Sequence, residues 1–178
     1  MKTDNSHFEE KVLLRIYAIK DIISPSVLEC YSGTGKLWDE VKKRTGKEIT
    51  ILRIEKEKSK GNKIYLQGDN IKFLLSLNLD KFDVIDLDAY GIPYDQINLL
   101  YNRDYKGTVI VTAIQSMQGG LPHKMLMKLG FTKQMIQKIP SLFFRNGFGK
   151  LKNYLYLSGV QSIEGYFIDR KNYFMFKF

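Results

Sequence analysis

The chain has 178 residues, 44% of them apolar and 13% aromatic, which suits one domain, 1–178, built on one sizeable core. A single cysteine, Cys30, excludes an internal disulfide, no run is long and apolar enough to span a bilayer, and Met1 to His7 lack the apolar centre of a secretion signal, so a soluble cytoplasmic protein is expected. The formal net charge is +9, and from Leu121 to Asn153 seven basic residues (Lys124, Lys128, Lys133, Lys138, Arg145, Lys150 and Lys152) occur without an Asp or Glu, the pattern of a face that meets polyanions.

In chain order, His7 to Ile22 reads as an amphipathic helix, with Val12, Leu13, Ile16, Ile19 and Ile23 at helical spacing. Five short apolar runs follow that read as strands: Ser26 to Cys30, Ile49 to Ile54, Lys63 to Gln67, Phe82 to Leu87 and Thr108 to Ile114. Helix-like segments lie between them at Gly35 to Lys43, Asn70 to Leu79 and Pro93 to Asn102. This alternation predicts an α/β fold with a mostly parallel sheet. Only Glu55 to Asn62 separates the second and third strands, so a helix there is a single turn or absent, since a crossover usually takes about ten residues or more. Leu121 to Leu129 and Thr132 to Ile139 read as two short helices broken at Gly130. Val160 to Ile168 and Tyr173 to Phe178, joined by Asp169-Arg170-Lys171-Asn172, read as a closing antiparallel hairpin.

The first strand runs into Glu29-Cys30-Tyr31-Ser32-Gly33-Thr34-Gly35 and then into a helix, the context that gives a glycine turn meaning. Gly33 and Gly35 let the backbone turn tightly and approach a ligand. A nucleoside-triphosphate P-loop is excluded, because it needs glycine where Cys30 stands and Ser or Thr where Leu37 stands. A dinucleotide fingerprint is weakened by Tyr31 in place of its first glycine. A ribose-binding carboxylate is expected at the tip of the second strand, where Glu55 lies twenty residues beyond Gly35, with Glu57 as the alternative. Asp69 and Asn70 follow the third strand, and Asp69 also suits a helix N-cap.

The turn resembles motif I of class I S-adenosylmethionine (SAM)-dependent methyltransferases, a Rossmann-like fold, several nucleic-acid-modifying branches of which carry an aromatic at the Tyr31 position. The resemblance implies SAM as cofactor, with Glu29, Tyr31, Gly33, Gly35, Glu55, Asp69 and Asn70 around it; Asp69 matches the acid that meets the adenine amino group. The fourth strand leads into Asp86-Leu87-Asp88-Ala89-Tyr90-Gly91-Ile92-Pro93. This is similar to motif IV of amino-methyltransferases and closest to the D-[IL]-D-P-[FY]-G-x-P segment of the tRNA guanine-N2 dimethyltransferase family, with Ala89 replacing the proline. It implies methylation of an exocyclic amine. Asp88 orients the amine and Tyr90 stacks on the base. Asp86 supports the loop or meets the cofactor, and Ala89 lies against the substrate.

No metal is expected, since His7, His123 and Cys30 are too few and too separate for a ligand set. Aromatics interleave the basic stretch, and Phe143-Phe144-Arg145-Asn146-Gly147-Phe148 is the least regular part, so Phe144 and Arg145 are candidates for substrate contact. Nucleic acid is the expected partner, RNA ahead of DNA. Methylation of a small-molecule or protein amine is the enzymatic alternative, and a non-catalytic SAM-binding scaffold subunit is the alternative of a different class. Homo-oligomers and protein partners are left open.

Overall fold

The computed structural model describes residues 6–57, 65–115, 120–143, 145–168 and 170–178. The elements are α1 (Phe8–Ala18), β1 (Ser26–Cys30), α2 (Lys36–Thr45), β2 (Thr50–Glu55), β3 (Leu66–Gln67), α3 (Asn70–Ser76), β4 (Val84–Leu87), α4 (Tyr94–Asn102), β5 (Thr108–Ile114), α5 (His123–Lys128), α6 (Lys133–Lys138), α7 (Gly147–Leu157), β6 (Glu164–Ile168) and β7 (Lys171–Phe176). They form one seven-stranded sheet in the order β3-β2-β1-β4-β5-β7-β6. The strands from β3 to β5 pair in parallel, and β7 runs antiparallel between β5 and β6. The expected α/β fold with a closing antiparallel hairpin is the one observed. Among the described residues no helix is long and apolar enough to cross a membrane.

The two sheet faces bury different populations. One face packs Leu28, Cys30, Ile85, Leu87, Val109 and Val111 against α3, α4, α5 and α7. The other packs Val27, Val84, Ile110 and Tyr173 against α1 and α2, with Trp38 fully buried. Strands buried on both faces are why β1, β4 and β5 read as nearly unbroken apolar runs.

Several boundaries differ from the sequence reading. The first helix ends at Ala18 rather than Ile22, because Lys47 Nζ donates to the carbonyls of Ile19, Lys20 and Ile22 at 2.7, 2.8 and 2.6 Å. A cation bonding several carbonyls just past a helix end both satisfies them and complements the dipole. The buried face of α1 is also rotated: Lys11, Val12, Leu14 and Arg15 are buried, whereas Leu13 is exposed. Helix α7 was not expected. It starts at Asn146, whose side chain caps it by accepting from the Gly149 amide at 3.1 Å. The segment expected to hold at most one helical turn between β2 and β3 lies largely outside the described residues.

Candidate active site

The carboxyl ends of β1, β2, β3 and β4 meet at one edge of the sheet, where open α/β sheets bind ligands. The turn after β1 is left-handed at three places: Tyr31 (φ 62°), Gly33 (φ 52°) and Gly35 (φ 67°). Glycine adopts this conformation freely, and a tyrosine does so only when its surroundings hold it. The Tyr31 hydroxyl accepts from Gln96 Nε2 at 2.6 Å and also bonds the Asn70 side chain, so the ring bridges α3 and α4. Burial raises its phenol above the ordinary range.

Glu55, at the tip of β2, reaches this turn. Its Oε2 accepts from the Gly33 amide at 2.8 Å, and its Oε1 accepts from the Lys56 amide at 2.8 Å. The exposed Glu57 makes no such contact with the turn; its own amide points back to Glu55. Asp69 is exposed and caps α3 through the Ile71 amide at 2.7 Å, while its neighbour Asn70 is buried. Two buried polar atoms here, Ser32 Oγ and Asn70 Oδ1, have no hydrogen-bond partner. Unpaired buried acceptors and hydroxyls are costly and rare. Ser32 lies in the glycine turn and Asn70 at the start of α3, against the Tyr31 hydroxyl, and SAM, with ribose hydroxyls, an adenine amino group and an amino-acid end, carries donors and acceptors that fit them.

Glu29 and Asp86 are both held inside the fold; for Glu29 this differs from the cofactor contact expected of it, and for Asp86 it is the supporting place expected as the alternative to cofactor contact. Glu29 is 2% exposed, lies between Arg53 and Asp86 across the sheet, and accepts from Arg53 Nε at 2.8 Å. Burial, with Asp86 beside it, pushes its carboxyl up to about 8. Asp86 is fully buried. Arg15 grips it with Nε at 2.8 Å and Nη2 at 2.9 Å, and Trp38 Nε1 donates to it at 2.7 Å. Burial pushes this acid up while Arg15 pulls it down. Both side chains point under α1 and α2, inside the molecule.

Asp88 stands one strand repeat beyond Asp86, where the sheet opens. Its Oδ1 accepts from Lys11 Nζ at 2.8 Å and from Thr112 Oγ1 at 2.5 Å. Burial opposes ionisation, but the Arg15 and Lys11 charges outweigh it and hold the acid below the ordinary carboxylate range. Ala89 is buried, and Tyr90 stands 67% exposed at the rim. Arg145 is exposed on the turn before α7. That helix starts close to the end of β5, where the Gln115 side-chain amide lies against Gly147. Phe144 lies outside the described residues. Lys11, Arg15, Trp38, Gln96 and Thr112 were missed by sequence reasoning, although Lys11 and Arg15 carried a signal as two cations one helical turn apart beside apolar Val12 and Ile19.

No protein-family profile matches the chain, and no curated protein matches it by sequence. Solved structures do match. A SAM-dependent methyltransferase from Archaeoglobus fulgidus aligns at a TM-score of 0.54 with 14% identity, over 94% of this chain and 92% of that one. The fold is that of class I SAM-dependent methyltransferases. A protein described as a ribosomal RNA methyltransferase, from Plasmodium falciparum, aligns at 0.55 with 18% identity over 97% of each chain. The plantazolicin methyltransferase, solved with SAH, aligns at 0.54 with 12% identity, over 96% of this chain and 84% of that one. At such identities the likeness is one of methyltransferase fold.

Proposed function

We propose that the protein is a SAM-dependent methyltransferase that acts on an exocyclic amine of a nucleic-acid base, RNA ahead of DNA. The observation that carries the cofactor half is the glycine turn: its Gly33 amide is bonded by Glu55, its Ser32 Oγ is unpartnered, and so is Asn70 Oδ1 at the start of α3. Gly33, Gly35, Glu55, Asp69 and Asn70 would hold the cofactor, which supplies an activated methyl group on a sulfonium. Glu29 and Asp86 support the site from beneath.

The substrate half rests on the segment after β4. An aromatic amine is a weak nucleophile because its lone pair is delocalised into the ring. An ionised Asp88 accepts a hydrogen bond from that amine, aims its lone pair and stabilises the positive charge that develops on nitrogen. Tyr90, exposed at the rim, offers a face on which a base stacks. Similarity of this segment to the tRNA guanine-N2 dimethyltransferase motif and the basic stretch around α5 to α7 support RNA. In a duplex the base must leave the stack to reach Asp88.

The test is transfer of labelled methyl from SAM to separate RNA, DNA and protein pools. RNA is expected to be labelled by the wild type, whereas Asp88→Ala keeps SAM binding and loses about a hundredfold or more in rate. Gly33→Arg is expected to abolish SAM binding in calorimetry. Labelling of protein alone replaces the substrate. SAM binding with no labelled pool leaves a scaffold subunit, and wild-type affinity in Gly33→Arg removes the cofactor site.

A further inference from the structure

Lys11 belongs to no glycine motif and to no part of the segment after β4, yet its ammonium is nearly buried, with its side chain 8% exposed, and is spent on Asp88. It lies on α1, 77 residues away in sequence. Both protein donors to Asp88, Lys11 Nζ and Thr112 Oγ1, converge on the same oxygen, Oδ1. Among the described residues Oδ2 takes no protein hydrogen bond, and the Asp88 side chain retains 17% exposure. A carboxylate with one oxygen doubly held is fixed in orientation about its own axis, and the second oxygen is left as one aimed acceptor.

We infer that Lys11 is the positioning residue of the site: it pins Asp88 through Oδ1, keeps it ionised, and presents Oδ2 to the N–H of the substrate amine. The inference rests on the amine-methyltransferase reading above. The surroundings of Asp88 suit the role. Arg15 adds a second cation from α1, one turn below Lys11, and Asp86, two residues back on β4, is the nearest carboxylate and is itself held by Arg15. Glu29 of β1 lies beyond Asp86 and faces Arg53. From β7 the Tyr173 ring lies 5.4 Å from the Lys11 ammonium, with the His7 ring 5.8 Å from that tyrosine. Two fixed cations so close favour the carboxylate over the acid. Asp88 therefore works as a charged hydrogen-bond acceptor, and the proton released by the methylated nitrogen passes to water rather than resting on it.

The experiment pairs two readouts on the full chain: the Asp88 carboxyl carbon shift, titrated by NMR, and the pH profile of labelled methyl transfer to an RNA pool. Lys11→Met is expected to raise the Asp88 midpoint by about one to three pH units. The acid limb of the transfer profile should move up by the same amount, and Lys11→Arg should restore both. Should the methionine variant not fold, Lys11→Gln gives the same comparison, because it removes the charge and keeps a donor. An unmoved midpoint in a folded variant lacking the charge overturns the inference, as does a moved midpoint with an unmoved acid limb. No transfer by the wild type to RNA, DNA or protein removes the amine-methyltransferase reading and this inference with it. That failure differs from an unmoved limb in an enzyme that still transfers methyl.

Discussion

Glu29 sits in the middle of a sheet with Arg53 across one edge of its strand and Asp86 across the other. Removed from water and set beside a second carboxylate, it holds its proton up to about 8. A group that ionises less readily in the fold than in the unfolded chain favours folding while both states keep the proton. That advantage is lost as pH rises from the ordinary carboxylate range to about 8. Each pH unit of that window weighs about 1.4 kcal/mol at most. Urea unfolding is therefore expected to show wild-type stability falling between about pH 5 and pH 8, with a shallower fall in Glu29→Gln, where the raised Asp86 carboxyl is left to titrate. Equal slopes in the two proteins would mean that Glu29 is ionised throughout. Glu29 also shows a limit of reading motifs. Its place at the start of the glycine motif was legible, but its direction was not, since strand residues alternate between faces and the sheet register decides what each one meets. Tyr31 is the converse case: its substitution for a glycine was legible, and its left-handed backbone is retained through Gln96 and Asn70, partners no local sequence pattern could name.

At the scale of elements, α1 and β4 are matched rulers. Residues i and i+4 of a helix lie about 6 Å apart along its axis, and residues i and i+2 of a strand about 6.6 Å. Lys11 and Arg15 thereby fall opposite Asp88 and Asp86, and two ion pairs form at once. Breaking one rung strands a charge in the core. Arg15→Ala is expected to cost about 3–5 kcal/mol in urea unfolding, whereas Arg15→Met with Asp86→Leu is expected to recover most of that loss. A cost below about 1 kcal/mol for Arg15→Ala would show that Trp38 and water satisfy Asp86 alone. The strands were legible because apolar runs between turn residues mark buried strands whatever their partners. The rotated face of α1 was not, since its reason lies 71 and 77 residues downstream. Helix α7 was hidden by Gly147 and Gly149, weak helix formers that its capping asparagine and its packing through Leu151, Tyr154 and Leu155 override.

At the scale of the whole molecule, the basic stretch divides into committed and uncommitted charges. Lys124 lies 3.8 Å from Asp95, Lys128 bonds Asn98 and lies over Tyr154, Lys150 donates to the Arg145 carbonyl, and Lys152 lies over Phe148. Lys133, Lys138 and Arg145 are exposed, and they are the ones expected to meet phosphates. Replacing all three by alanine should leave SAM affinity unchanged and weaken RNA binding. The slope of log affinity against log salt should become shallower by about 0.7 for each phosphate of a single strand that the variant no longer neutralises. An unchanged slope would remove these three residues from the proposed RNA contact, and absence of RNA binding by the wild type would remove the proposal itself.

The pairing of α1 with β4 also bears on how the chain can change over time. Neither member of a rung can be lost alone without leaving a buried charge, so the permitted route passes through both positions together. Relatives that lack Asp86 should lack Arg15 as well, and loss of the positive charge at position 11 should be accompanied by a change at Asp88. The N-terminal helix and the segment after the fourth strand, far apart in the gene, are bound to a common mutational history.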